Sequence, residues 1–215
     1  MLAIQGPKSI EVIESLNLKD ALDLKPLTFI ENVKLNDLNL LLVSRSGWTG
    51  EDGFELWVES SKVEEVWAKL LATGCKPAGL AVRDTLRMEM GYVLYGEDID
   101  EEVTPIEARY WVFSYDKRGY IGYEALVKKM EEGVNRVRVG FKMKKRIVPR
   151  HGCKIYIGEK MVGHVTSGMY SPMLKVGIAQ GYMNVNHAIF GMKVDVEVRG
   201  KRYRATIVDF PFIKR

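Results

Sequence analysis

From Asn135 onward the chain breaks into six short runs of strand-forming residues: Val137 to Phe141, Lys154 to Ile157, Met161 to Thr166, Gly177 to Met183, Lys193 to Arg199 and Arg202 to Val208. Gly158, Gly191 and Gly200 punctuate them as turn residues. This regular alternation of strand and turn predicts a small antiparallel barrel, an arrangement that leaves few open strand edges.

The chain ahead of Asn135 has a different texture. Gly6-Pro7-Lys8-Ser9 leads into a helical pattern with Ile10, Ile13 and Leu16 on one face and Asn17 at its end. Leu38 to Ser44 reads as a strand, Gly47 to Gly53 as a glycine-punctuated turn and Phe54 to Glu59 as the partner strand of a hairpin. Ser61 and Glu64 have the spacing of a capping box, followed by the stripe Val63, Val66, Trp67, Leu70 and Leu71 and the stop signal Gly74. Further helices are predicted from about Leu80 to Met90 and from Tyr123 to Met130, before Gly133. The predicted fold class is therefore α+β. A domain of hairpin and helices, residues 1–133, precedes a barrel domain, residues 134–215.

Composition narrows the function. With 47% hydrophobic and 28% charged residues, the 215-residue chain has the balance of a soluble globular protein. No stretch approaches the ~20 apolar residues of a membrane helix. Two cysteines, Cys75 and Cys153, make no disulfide framework or metal pair, and His151, His164 and His187 have no ligand spacing. No metal is expected, and a reducing cytoplasm is. The net charge of +4 is mild, with Lys117, Arg118, Lys128 and Lys129 interleaved with Glu124, Glu131 and Glu132, so nucleic-acid binding is not favoured.

In the hairpin, alternation puts Phe54, Leu56 and Val58 on one side and Glu55, Trp57 and Glu59 on the other. A carboxylate at Glu55, beside an indole, can accept a paired N–H fork such as a guanidinium or the ring N–H and amino group of a pterin. The hairpin taken alone reads more simply, as half-exposed strand carboxylates with glycines serving the turn. Arg83 and Arg87 stand four apart on one helix face, which invites an anion or a buried acid, or else two solvated cations. Asp98, Asp100 and Glu101 lack a metal-ligand period and read as a solvated acidic turn. Ser167 has no evident histidine and acid partners, so serine hydrolase chemistry is rejected.

Several of these segments together resemble the folate-dependent aminomethyltransferase family, the T-proteins of the glycine cleavage system. Ser44-Arg45-Ser46-Gly47-Trp48-Thr49-Gly50-Glu51-Asp52-Gly53-Phe54-Glu55 resembles the S-R-T-G-Y-T-G-E-D-G-F-E signature, departing from it at Ser46 and Trp48. The stretch from Ala78 to Gly96 resembles G-L-x-A-R-D-x-L-R-L-E-x-G-x-x-L-Y-G. Asp98 to Glu101, Thr104 to Ala108, Gly163 to Pro172 and Pro211 to Arg215 resemble the D-I-D-E, T-P-x-E-A, G-x-V-T-S-G-x-x-S-P and P-F-Y-K-R elements, in the family's order. Tyr120 stands where the iron–sulfur maturation branch of the family carries a cysteine.

By this resemblance, Glu55 holds the pterin of tetrahydrofolate, and Trp48 keeps an aromatic face without the family's phenolic hydroxyl. Arg83 pairs with a carboxylate of the folate glutamate tail, Tyr92 lies near the folate and Arg215 reaches toward its tail. Arg87 and Glu89 buttress the helix, and Trp111 is a core or pocket-wall residue. The implied reaction moves an aminomethyl group from lipoyl H-protein to tetrahydrofolate, giving methylene-tetrahydrofolate and ammonia in glycine catabolism. The basic run Lys142, Lys144, Lys145 and Arg146 reads more simply as a solvated turn, with an acidic H-protein surface as the alternative it could meet. In the family the L-A-I-Q-G-P element, here Leu2 to Pro7, is preceded by a segment carrying a catalytic aspartate. No such residue can be assigned within these 215 residues, so the chain by itself is expected to be inactive and to expose apolar surface that can self-associate. Two alternatives stand beside this reading. One is a non-catalytic folate-binding or scaffold protein, and the other is the folate domain of a sarcosine or dimethylglycine dehydrogenase relative.

Overall fold

The computed structural model describes residues 1–114 and 117–214. The chain forms two compact units, one running from Met1 to Leu86 and the other from Arg87 to Lys214. No helix among the described residues is long and apolar enough to cross a membrane.

In the first unit a four-stranded antiparallel sheet is built from β1 (Leu2–Gln5), β2 (Phe29–Leu35), β3 (Leu38–Ser44) and β4 (Gly53–Trp57), in the order β1-β4-β3-β2. Helices α1 (Ser9–Ser15), α2 (Lys19–Leu22) and α3 (Val63–Ala72) supply Ile13, Ala21, Val66 and Leu70 to a core shared with Ile4, Val43, Phe54 and Leu56. Each such side chain, fully buried, contributes about 1.5–3 kcal/mol of transfer free energy for residues of leucine or phenylalanine size. Asn17, at φ 56°, ends the α1 segment in the left-handed conformation. The strands β1 and β2 carry no clear local signal. β1 is four residues long and finds its partner some fifty residues later, and β2 is interrupted by Asn32 at φ 55°.

The stripe on α3 is only half buried: Val66 and Leu70 enter the core, while Trp67 and Leu71 are exposed. The Ser61–Glu64 capping box does not form. Ser60–Lys62 is a turn of 3₁₀ helix, so the cap falls at Lys62, with no side-chain cap hydrogen bond, and Ser61 lies inside the turn it was expected to open.

Helix α4 (Leu80–Glu89) carries the chain into the second unit. There α5 (Pro105–Ala108) is opened by a full capping box, with Thr104 accepting from the Glu107 N–H and Glu107 accepting from the Thr104 N–H. Burial pushes the Glu107 carboxyl up, but hydrogen bonds from Thr104 and the Arg136 guanidinium outweigh it and hold the group below the usual carboxylate range. α6 (Tyr123–Glu132) ends at Gly133. The barrel follows as β5 (Arg136–Met143), β6 (Lys154–Ile157), β7 (Lys160–Ser171), β8 (Val176–Asn184), β9 (Lys193–Val198) and β10 (Lys201–Val208). Its strands close in the order β10-β5-β8-β7-β6-β9, all antiparallel. Phe141, Ile155, Val165, Ala179, Val196 and Ile207 fill it. The α+β class with a closed antiparallel barrel at the C-terminal end is thus realised.

Candidate functional site

Strand register defines the surroundings of Glu55. Leu2, Leu56, Val43 and Ile30 form one transverse row across all four strands of the first sheet, on the face that the helices cover. The next row, Ala3, Glu55, Ser44 and Phe29, lies on the opposite face, because successive residues of a strand alternate. Glu55 is half-buried in this row. Its Oε2 accepts from the Ser46 hydroxyl at 2.8 Å and, at 3.5 Å, from Ser44, and the two hydroxyls are 2.8 Å apart. Among the described residues Oε1 takes no hydrogen bond, so one side of the carboxylate is anchored and the other is open. Sequence reasoning misses the serine pair as a positioning device. Its signal is the i, i+2 spacing of Ser44 and Ser46 at the end of the strand opposite Glu55.

The loop between β3 and β4 is held from both ends. Arg45 grips Asp52 with Nε at 3.0 Å and Nη2 at 2.6 Å, and its Nη1 donates to the Leu24 carbonyl at 2.9 Å. The hydrogen bond from Arg45, against a smaller cost of burial, holds the Asp52 carboxyl below its usual range. Gln5 reaches into the loop. Its Nε2 donates to the Ser46 carbonyl at 3.0 Å and its Oε1 accepts from Thr49 at 3.1 Å. A methyl group at either Gly47 or Gly53 would overlap the Gln5 carboxamide. Those two glycines are therefore explained by the close approach of Gln5; of the loop glycines only Gly50, at φ 78°, has the left-handed backbone of a turn residue. Gly53→Ala is expected to cost about 1–3 kcal/mol by expelling the Gln5 amide from its hydrogen bonds. Urea denaturation of Gly53→Ala, Gln5→Ala and the double variant checks this, since the cost of the glycine substitution should largely vanish once Gln5 is alanine.

Trp48 is half-buried in this loop, and Arg83, on α4, is exposed. The two arginines of α4 therefore part company. Arg87 is buried, in the second unit, where its Nη1 lies 2.7 Å from Asp98 Oδ2. Asp98 is 2% exposed and accepts from the Leu94 N–H at 3.0 Å and the Thr166 hydroxyl at 2.5 Å. The expectation of a solvated acidic turn is thus overturned for Asp98. It is the buried acid that Arg87 requires, and desolvation of one is tolerable because the other neutralises it.

A bulge in β7 builds the rest of this network. Val165 pairs with Gly181 and Ser167 with Gln180, leaving Thr166 as the extra residue. Thr166 and Ser167 are consequently both buried, one donating to Asp98 and the other accepting from Arg87 Nη2 at 3.2 Å. Ser171 donates to Glu89 at 2.6 Å. Arg87 and Glu89, expected to buttress their own helix, are instead fastened to the barrel. Trp111, expected in a core or pocket wall, is instead 62% exposed, with its ring 5.6 Å from that of Phe113.

Tyr92 sits at the other end of the same network. Its carbonyl accepts from Arg87 Nη1 and Gln180 Nε2, each at 3.2 Å, and its N–H donates to the Arg87 carbonyl at 2.9 Å. The neighbouring Gly91 carbonyl accepts from Arg138 at 2.7 Å. Arg138 is fully buried against Phe210, and burial lowers its pKa to about 10. Arg215 lies outside the described residues. Among those described, no group of three or more histidines, cysteines and acids could hold a metal ion.

The comparisons with known proteins agree with one another. Residues 1–117 match the family model described as the GCVT N-terminal domain, and residues 136–214 match that of the glycine cleavage T-protein C-terminal barrel domain. A probable aminomethyltransferase of Aeropyrum pernix is 43% identical over 99% of this chain and 59% of its own length. The aminomethyltransferase of Thermoanaerobacter pseudethanolicus is 40% identical over the whole of this chain and 59% of its own length. The crystal structure of glycine cleavage system aminomethyltransferase T from Bartonella henselae superimposes with a TM-score of 0.89 at 33% identity, covering 98% of this chain and 58% of that one. The chain spans about three fifths of the length of the relatives it matches. On these grounds the chain belongs to the glycine cleavage T-protein family of aminomethyltransferases.

Proposed function

We propose that this chain serves the aminomethyltransferase reaction of the glycine cleavage system in the cytoplasm, with tetrahydrofolate as cosubstrate and lipoyl H-protein as protein partner. The reaction transfers an aminomethyl group to tetrahydrofolate and releases ammonia. The observation that carries the proposal is the state of Glu55, a half-buried carboxylate with Oε2 anchored by serines and Oε1 open. An acceptor fixed in this way fits the paired N–H groups of a pterin, as water-exposed strand carboxylates in general do not. Trp48 offers an aromatic face in the adjoining loop. Arg83, exposed and cationic, suits a glutamate carboxylate. Tyr92 carries the same ligand assignment from its own motif, and its backbone is immobilised by Arg87 and Gln180.

The test is calorimetric titration of the purified 215-residue protein with tetrahydrofolate, combined with ammonia release from aminomethylated H-protein. The full-length Aeropyrum pernix relative serves as reference. Absence of folate binding overturns the proposal. Folate binding without ammonia release is the outcome expected of these 215 residues by themselves, and release at the reference rate would overturn that expectation while leaving the folate assignment standing. Arg83→Lys should retain more affinity for monoglutamate folate than Arg83→Ala, because charge attraction survives loss of the planar fork. Equal affinities in the same titration would make Arg83 a solvated helix residue.

A further inference from the structure

At one end of the barrel, β5 parts from its neighbour β10. Its last residue, Met143, still pairs with Ala205, and the Lys144 N–H donates to the Arg204 carbonyl at 3.1 Å. The Lys145 carbonyl has already turned away, accepting from the Gly177 N–H of β8 on the other flank at 3.2 Å. A cavity of about 170 Å³ occupies the resulting wedge, between the departing chain and Arg202, Tyr203 and Arg204.

The antiparallel ladder fixes what β10 offers to this cavity. Because the Arg204 carbonyl faces β5, the N–H groups of Arg204 and Arg202 face that side as well. Among the described residues neither N–H has a backbone acceptor there. The two guanidinium groups are held elsewhere. Arg202 grips Glu159 at 2.8 and 3.0 Å and stacks on Tyr156, and Arg204 Nε lies 3.1 Å from Asp195. Lys144 and Lys145, on the rim, are exposed and form no ion pair among the described residues. The floor is apolar, since Met143 is buried and Ile147 and Tyr203 pack against the barrel core. A sheet edge that presents backbone N–H groups between two ammonium groups is an anion-binding concavity.

We propose that this wedge binds a carboxylate carried on a short apolar body. The carboxylate meets the Arg202 and Arg204 N–H groups and the two lysines, and the body lies against Met143, Ile147 and Tyr203. Size restricts the class of ligand. The cavity is smaller than the ~300 Å³ at which sites for drug-sized molecules begin, so it suits a branched acid of a few carbons or the C-terminal residue of a polypeptide. No residue assigned to folate lines it, so the proposal stands apart from the reading of Glu55 and binding is read without folate.

The experiment titrates the 215-residue protein with 4-methylpentanoate, acetate and inorganic phosphate at constant ionic strength, following backbone amides by NMR. 4-Methylpentanoate is expected to bind saturably and to move the Arg202 and Arg204 amides but not that of Met173, an exposed residue of the β7–β8 turn. It should bind roughly tenfold more tightly than acetate or phosphate, because burial of its apolar carbons adds to the charge contact. Lys144→Gln combined with Lys145→Gln should weaken it about fivefold or more, through loss of the local positive field. Both substitutions are at exposed positions, so the fold is retained. No saturable binding, equal affinities for all three anions, or shifts that leave the Arg202 and Arg204 amides unmoved would each overturn the proposal. A tripeptide, acetyl-Gly-Gly-Leu with a free C-terminal carboxylate, distinguishes the two sources of the ligand. Tighter binding than 4-methylpentanoate assigns the site to a polypeptide terminus, and weaker binding assigns it to a free organic acid.

Discussion

Asp98→Ala should destabilise the second unit by about 3–5 kcal/mol, the cost of leaving a buried charge without its partner. Arg87 and Asp98 are both almost fully removed from water. Without the carboxylate, Arg87 would lose the anion 2.7 Å from its Nη1, and the Ser167 hydroxyl and Tyr92 carbonyl beside it are neutral. The Thr166 hydroxyl and Leu94 N–H would lose their acceptor as well. Replacing both partners by apolar residues of similar volume, Arg87→Met with Asp98→Leu, should cost less than Asp98→Ala alone, because no charge is then left to desolvate. Native-state hydrogen exchange on the amides of β7 and β8 measures the loss in the unit concerned. A cost below about 1 kcal/mol for Asp98→Ala would mean that water reaches Arg87, and that the pair resembles an exposed salt bridge.

Glu55→Gln should weaken tetrahydrofolate binding by about 2–4 kcal/mol, the range for truncating one partner of a desolvated charged pair. That corresponds to roughly 30- to 1000-fold in Kd. Glutamine preserves the shape, so the change isolates charge and acceptor count. If its oxygen keeps the Ser46 hydroxyl, an amide N–H₂ faces the donors of the pterin; if it turns, one neutral acceptor remains where a carboxylate stood. Both orientations lose the negative charge, and the first also loses the open acceptor at Oε1. Isothermal titration against the unsubstituted protein checks this. Unchanged affinity would return Glu55 to the ordinary strand carboxylates and remove the observation on which the functional proposal rests.

Features carried by neighbours along the chain are legible in the amino-acid sequence. The β3–β4 hairpin, α3, α4, α6 and the six barrel strands all lie near their expected positions, since hydrophobic period and glycine placement are local signals. Glu55 is legible too, because strand alternation alone puts it on the face opposite Phe54 and Leu56. Expectation fails where a partner far along the chain decides the outcome. Gly47 and Gly53 read as turn residues, and only the fold brings Gln5 into the space beside them.

The sequence by itself determined the α+β class, the barrel and the face of the sheet on which Glu55 stands. Each follows from short-range periodicity, which survives whatever the chain packs against. Tertiary structure alone decided which charges are buried. Asp98 and Asp100 stand two apart in one acidic run, yet only Asp98 meets Arg87 and the Thr166 of a β-bulge sixty-eight residues away. Whether a carboxylate is solvated or paired depends on the low-dielectric surroundings that other segments bring to it, and no local pattern encodes those surroundings.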